Sequence, residues 1–284
     1  MRSFIYERPT TLAAAIDLLA IHGEAARPLA GGTDLIIRLR DGTLQPEVVV
    51  DLKRVAELRP AIEERDGALV ISAGSVMTDI AAHPTVRERF TSLAEAATVI
   101  GAVQIRNRAT LAGNICNASP AADTATPLLV HGARVVMAGP GGTRRMELDD
   151  FFVRSGVTVL QRGELVTAIE LPLPPGRVGS VHLRRTRRRG HDLASVTLSC
   201  AVDAHGVTRL AYGSVGPRPY LVTDGSGLLA DPAAGEARDA LLQEMLDRAT
   251  PSPRSMRSSP RYRLAMLGVL AHRGLALAIQ RSGR

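Results

Sequence analysis

Two short stretches carry the residue types that could hold a phosphate-bearing ligand. In LAGGTDL, Leu29 through Leu35, an apolar approach ends in Gly31-Gly32 and Thr33-Asp34, and a helical period then begins. Glycines let a backbone approach a phosphate closely, and the amides of a helix start, with the Thr33 hydroxyl, can donate to its oxygens. The same letters also describe an ordinary turn, and they lack the GxGxxG spacing of a dinucleotide fingerprint. Asp34 would repel a pyrophosphate, so its carboxylate is expected to cap the following helix or to accept from a turn amide. The second stretch, TLAGNICNASPAAD, sets Thr110, Asn114, Asn117, Ser119 and Asp123 around Gly113 with no regular helix or strand spacing. Burying so many small polar groups is costly unless a ligand or the chain satisfies them. The other reading is an exposed polar loop.

Few other residues could do chemistry. His22, His83, His191 and His205 read as turn or surface residues, and no Ser/His/Asp arrangement is visible. Cys116 and Cys200 stand far apart and neither belongs to a CxxC pair, so this chain's thiolates alone build no iron–sulfur cluster or structural zinc. Cys116 reads as a small buried hydrophobe.

The elements that position these stretches follow from periodicity. Thr10-Thr11 precede an apolar period through Leu12, Ile16 and Leu19, with Gly23 after it, which predicts an N-capped helix with a glycine stop. VVVDL (48–52) predicts a strand, and from about Glu57 a second subdomain opens with a strand over 68–73 and a short helix from Thr78. An alanine-rich helix is expected at about 91–101, an irregular segment over 104–123, a helix over 124–131, then strands ARVVMA and LVTAIEL. LPLPPGRVGS is the best linker in the chain. Beyond it VHLRRTRRR, ASVTLSCAVDA and VTRLAYGSV predict three strands with turns at GHD and AHG, covered by helices in EARDALLQEMLDRA and YRLAMLGVLAHRGLALAIQ. The expected units are therefore 1–56, 57–174 and 175–284.

Composition narrows the classes. The 284 residues are 45% hydrophobic, with no Trp and four each of Phe and Tyr, so any bound ring system would be held by aliphatic side chains, backbone and Arg planes. The net charge of +7 is concentrated in RRTRRR (184–189) and the C-terminal region, which reads as arginine-rich usage with a mostly solvated strand edge rather than a nucleic-acid surface. No apolar run approaches the length of a membrane span and the start lacks a signal-peptide core, so a cytoplasmic protein is expected.

The pair AGGTDL and GNICNASPAAD, in this order and roughly 80 residues apart, resembles the FAD-binding subunits of the xanthine dehydrogenase and carbon monoxide dehydrogenase group of molybdenum hydroxylases. The resemblance extends over nearly the whole chain, through SAGSVMTDI, QIRNRATLAGN, RRTRRRGHDLASV and SPRYRLAMLGVL. It implies an α+β chain: a two-subdomain FAD-binding fold of the vanillyl-alcohol oxidase type, then a C-terminal α/β domain with a small antiparallel sheet covered by helices. By residue, Pro28, Leu29, Ala30, Gly31, Gly32, Thr33, Asp34 and Leu35 match the loop that wraps the FAD pyrophosphate. Thr110 and Asn114 match groups bonded to phosphate or ribityl oxygens, within a segment that includes Ala112 and Gly113. Asp123 matches an acidic residue at the flavin end, and Ile100 and Val166 match residues packed on the isoalloxazine or adenine. Arg184 stands where many relatives have lysine, and Ala112 where they often have glycine. His182, near the flavin-facing strand, is a candidate proton relay. No residue of this chain is implied to be catalytic toward an organic substrate.

The implied activity is electron transfer: FAD on this chain takes electrons from 2Fe–2S clusters of a small subunit, fed by molybdopterin on a large subunit, and passes them to NAD, quinone or oxygen. A hetero-oligomer follows. Two other readings stay open at the level of sequence, a free-standing flavin oxidase or dehydrogenase and a flavin-free basic adaptor.

Overall fold

A computed structural model describes residues 2–188, 190 and 192–284. His191 of the expected GHD turn and Arg189 of the basic run lie outside the described residues.

The chain opens with β1 (Ile5–Glu7), α1 (Leu12–His22), β2 (Ala26–Leu29), α2 (Leu35–Arg40) and β3 (Val48–Asp51). α1 starts where the Thr11 hydroxyl accepts from the Ala14 amide at 3.3 Å, and it stops at Gly23, whose φ of 51° suits a residue without Cβ. β3 is buried at all four positions because it is the centre of a parallel sheet, with β1 on one side and β2 on the other. A continuous apolar run without alternation is the mark of such a strand.

The next stretch holds β4 (Ile62–Arg65), β5 (Ala68–Ser72), α3 (Met77–Ala82), α4 (Pro84–Arg89), α5 (Thr91–Thr98), α6 (Val103–Arg106), α7 (Leu111–Cys116) and α8 (Ala125–Val130). It continues through β6 (Arg134–Gly139), β7 (Gly142–Glu147), α9 (Leu148–Phe151), β8 (Phe152–Arg154), β9 (Val157–Thr158) and β10 (Leu165–Pro172). The main sheet runs β4-β5-β10-β6-β7 and is antiparallel throughout. The segment expected to be irregular holds α6 and α7, of four and six residues. Helices this short show no period in sequence, and α7 is set instead by its cap: Thr110 Oγ1 accepts from the Gly113 amide at 3.1 Å.

The last stretch contains β11 (Gly179–Arg185), β12 (Val196–Val202), β13 (Thr208–Gly213), β14 (Tyr220–Asp224), α10 (Gly235–Leu246) and α11 (Pro260–Ser282). Its sheet has four antiparallel strands in sequence order, one more than the three the pattern predicts, because Pro219 and a half-buried start mask β14. α11 packs on β11 and β12, while α5 and α8 lie against the other face. β12 is accordingly buried at all seven positions. α11 is long and apolar enough to cross a membrane by length and composition, but its stripe Leu267, Ala271, Gly274, Leu275 and Ala278 is buried on this sheet, as a core helix is.

One apolar cluster spans the first two sheets, from Ala15 and Val48 through Leu69, Phe90 and Leu128 to Ile169. A second fills the space between the C-terminal sheet and α11, with Leu198, Cys200 and Leu210 against Leu267 and Leu275.

Candidate functional site

The two glycine-containing stretches meet. The Ala30–Asp34 turn leaves β2 and enters α2, anchored by Leu29 and Leu35 against Leu39 and Val49. Gly32 takes φ 79°, and a Cβ on Gly31 would stand 1.9 Å from the Arg108 carbonyl oxygen. Only glycine permits that approach. Asn117 Nδ2 donates to Asp34 Oδ1 at 3.3 Å, across 83 residues of sequence. This corrects the expectation that the Asp34 side chain caps α2: Asp34 occupies the N-cap position in αR geometry and makes no capping bond. Its carboxylate links the turn to the end of α7 instead. The Thr33 hydroxyl has no partner among the described residues.

The second centre is built on β11. Strand alternation sends Ser180, His182 and Arg184 toward α5 and α8, and Leu183 and Arg185 toward α11. Asp123, 7% exposed at the end of the polar segment, lies opposite the first set. Arg184 Nη1 is 3.1 Å from Asp123 Oδ2, and His182 Nε2 is 3.3 Å from Asp123 Oδ1. An ionised carboxylate only accepts, so the imidazole presents a hydrogen at Nε2. His182 Nδ1 lies 3.0 Å from Ser199 Oγ, which donates to Thr126 Oγ1 at 3.0 Å. Arg184 also donates through Nη1 to the Val99 carbonyl at 2.9 Å and through Nη2 to the Asp192 carbonyl. Its Nε is buried and has no acceptor among the described residues.

The other expected site residues fall around these two centres. Asn114 Oδ1 accepts from Thr124 Oγ1 at 2.6 Å, and its amide nitrogen has no acceptor among the described residues. Ala112 is buried in α7 and Gly113 is exposed beside it. Ile100 is half-buried in the α5–α6 turn, next to the Val99 carbonyl that Arg184 holds. Val166 sits in the main core on β10, where the ladder to β6 slips before Ala168. Pro28 is exposed at the edge of the turn. Thr126, Ser199 and Thr124 were not singled out by the sequence: single polar residues inside apolar runs carry no local signal, and only pairing across strands brings them together. Cys116 is half-buried at the end of α7, packed against the main core, where burial pushes its thiol up to about 12, and it stays a neutral thiol.

Residues 2–174 match the family described as "FAD binding domain in molybdopterin dehydrogenase", and residues 182–278 match "CO dehydrogenase flavoprotein C-terminal domain". The chain is 31% identical to the xanthine dehydrogenase FAD-binding subunit of Escherichia coli O157:H7, over 98% of this chain and 97% of that one. It is likewise 31% identical to the carbon monoxide dehydrogenase medium chain of Hydrogenophaga pseudoflava, over 97% and 96%. The solved carbon monoxide dehydrogenase from Hydrogenophaga pseudoflava that lacks the Mo-pyranopterin moiety superposes with a TM-score of 0.89 at 29% identity, covering 99% and 98%. The turn at Gly31, the capped segment at Thr110 and the sandwiched C-terminal sheet are thus parts of a shared fold, and this chain belongs to the family of FAD-binding subunits of xanthine dehydrogenase-type molybdenum hydroxylases.

Proposed function

We propose that this chain holds FAD between the Ala30–Asp34 turn and the Thr110–Asp123 segment, and serves as the electron-transfer subunit of a cytoplasmic molybdenum hydroxylase. The observation that carries the reading is the approach of Gly31 to the Arg108 carbonyl together with the Asn117–Asp34 bond, which join two polar segments into one cradle. The donors fit a phosphate-bearing flavin nucleotide. The Thr33 hydroxyl and the Asn114 amide nitrogen lack protein partners among the described residues, and the Thr110 hydroxyl, while accepting from Gly113, keeps its hydrogen to donate.

In this reading residues 28–35 wrap the pyrophosphate, with Thr110, Ala112, Gly113 and Asn114 along the phosphate and ribityl oxygens and Ile100 and Val166 on the ring systems. Asp123 faces the flavin end, held in place by Arg184 and His182. FAD supplies one-electron acceptance and two-electron release. The residues bind and orient it, Arg184 keeps a fixed cation near it, and His182 can hold or pass a proton at Nε2. The units 1–56 and 57–174 form the two FAD-binding subdomains and 175–284 the C-terminal domain. Partners carry the 2Fe–2S clusters and molybdopterin, and the final acceptor is NAD, quinone or oxygen. A native pull-down of the tagged chain is expected to return a complex with flavin and iron–sulfur absorption together. Recovery of the chain alone, with or without flavin, would sink the subunit reading.

A further inference from the structure

Three residues that carry a side chain take left-handed backbone among the described residues: Asp66, Ala118 and Ser214. A Cβ makes that conformation costly. Asp66 is accounted for by its place, since it precedes Gly67 in the exposed turn between β4 and β5, where Asp-Gly is the ordinary pair of a tight hairpin. Ala118 and Ser214 are buried, 3% and 4% exposed, and both meet the polar segment that ends in Asp123. Ala118, at φ 46°, ends α7 at the position where helices usually carry glycine, and its carbonyl accepts from the Gly156 amide at 3.0 Å. Ser214, at φ 65°, follows β13, and its amide donates to the Pro120 carbonyl at 2.7 Å.

Ser214 is held in this conformation from three sides. Besides the bond from its amide, its hydroxyl donates to the Ala194 carbonyl at 2.9 Å, and its carbonyl accepts from Nη1 of the buried Arg263 at 2.6 Å. A strained residue persists only where its surroundings over-determine it, and such residues gather at functional sites. The preceding residue meets the same oxygen: a Cβ on Gly213 would stand 2.6 Å from the Pro120 carbonyl oxygen. Backbone of the C-terminal sheet thus fixes that carbonyl. Pro120 lies in a turn closed by the Ala122 amide on the Ser119 carbonyl at 3.0 Å and by the Ala121 amide on Ser119 Oγ at 3.2 Å, and Asp123 follows directly. A shift of the Pro120 carbonyl therefore carries the Asp123 carboxylate away from Arg184, 3.1 Å from it.

We infer that Ser214 is a positioning residue for the flavin end of the site: its left-handed backbone, beside Gly213, fixes the Pro120 carbonyl and through it the place of the Asp123 carboxylate. The inference rests on the reading that Asp123 faces the flavin.

The test crosses backbone with hydroxyl in the full chain loaded with FAD. Ser214→Thr keeps the hydroxyl, but its β-branch disfavours the left-handed conformation, whereas Ser214→Gly drops the hydroxyl and takes that conformation freely. In Ser214→Thr the ratio of reduced to oxidised flavin at a given potential is expected to fall about tenfold, a downward shift of about 30 mV in the midpoint potential of a two-electron couple. The cause is a carboxylate released from Arg184, which opposes added negative charge. Ser214→Gly should keep the parent's potential. Gly213→Ala drives a methyl group into the Pro120 carbonyl, so it should shift the potential as the threonine does, and it carries the test if Ser214→Thr does not fold. Gly225→Ala, which meets nothing within 4 Å, should leave the potential unchanged. Urea titration in parallel separates a merely structural role: lower stability with an unchanged potential in the folded, flavin-loaded threonine and Gly213→Ala variants overturns the inference, as does a glycine variant shifted as far as the threonine one. A parent chain that takes up no flavin overturns the flavin reading and this inference together, whereas a flavin-loaded parent with insensitive variants overturns this inference alone.

Discussion

The Asp123 carboxylate sits between a guanidinium and an imidazole that reach it from a strand roughly 60 residues away. Breaking a buried pair leaves the remaining charge without a partner, which costs about 3–5 kcal/mol. Asp123→Ala is therefore expected to lower the free energy of unfolding by that amount in urea titrations. The double variant with Arg184→Ala should lose less than the sum of the two single variants, by about 1–3 kcal/mol. Purely additive losses would show that the pair is not coupled. His131 is a second residue with a measurable consequence. It bonds to Ser92 Oγ at 3.0 Å and stands edge-on to Phe90, and burial first, then the charge of Arg209, push its imidazole from the ordinary 6.5 down to about 3. Between those values the unfolded chain binds a proton that the folded chain refuses. The neutral ring's contribution is thus fully present above pH 6.5 and is lost as pH falls toward 3, with a slope of up to about 1.4 kcal/mol per pH unit. Melting curves at pH 5 and pH 7 should differ less in His131→Gln than in the parent, and an equal difference would refute the assignment.

At the scale of elements, the Ala30–Asp34 turn and α6–α7 depend on each other through Gly31. A methyl group there meets the Arg108 carbonyl oxygen at 1.9 Å, and backbone cannot yield as a flexible side chain can. Gly31→Ala should weaken FAD binding about tenfold or more, read as visible absorbance per mole of folded protein after dialysis. Gly141→Ala, which meets nothing within 4 Å, should leave it unchanged. Retained flavin in Gly31→Ala would rule out the cradle. Elements with two or more turns of pattern were legible in advance: α1 by Thr11 and Gly23, β5 by alternation, α11 by its stripe. α6 and α7 were not, since four and six residues hold fewer than two turns of the 3.6-residue period. β1, three residues long and mostly exposed, exists because β3 offers it an edge.

Across the whole molecule, the C-terminal sheet is a layer pressed between α11 and the α5–α8 face. The two sides are tied by Ser92 to Ser180 and by Glu95, whose Oε1 lies 2.8 Å from Arg281 Nη1 and whose Oε2 accepts from the His182 amide at 2.8 Å. At the start of β11, a Cβ on Gly179 would stand 2.0 Å from the Ala278 carbonyl oxygen. Gly179→Ala should push the last turn of α11 off the sheet and destabilise the chain by about 1–3 kcal/mol in urea titrations, and a variant as stable as the parent would show that the helix can shift freely. The sequence by itself determined the type and order of the periodic elements and the family, because these rest on local pattern and on motifs in a fixed order. Only the tertiary structure decided that Asp34 bonds Asn117 instead of capping α2, and that His182 and Arg184 share Asp123. Those pairings depend on strand register and on helices packed across the chain, and neither leaves a mark in the spacing of neighbouring residues.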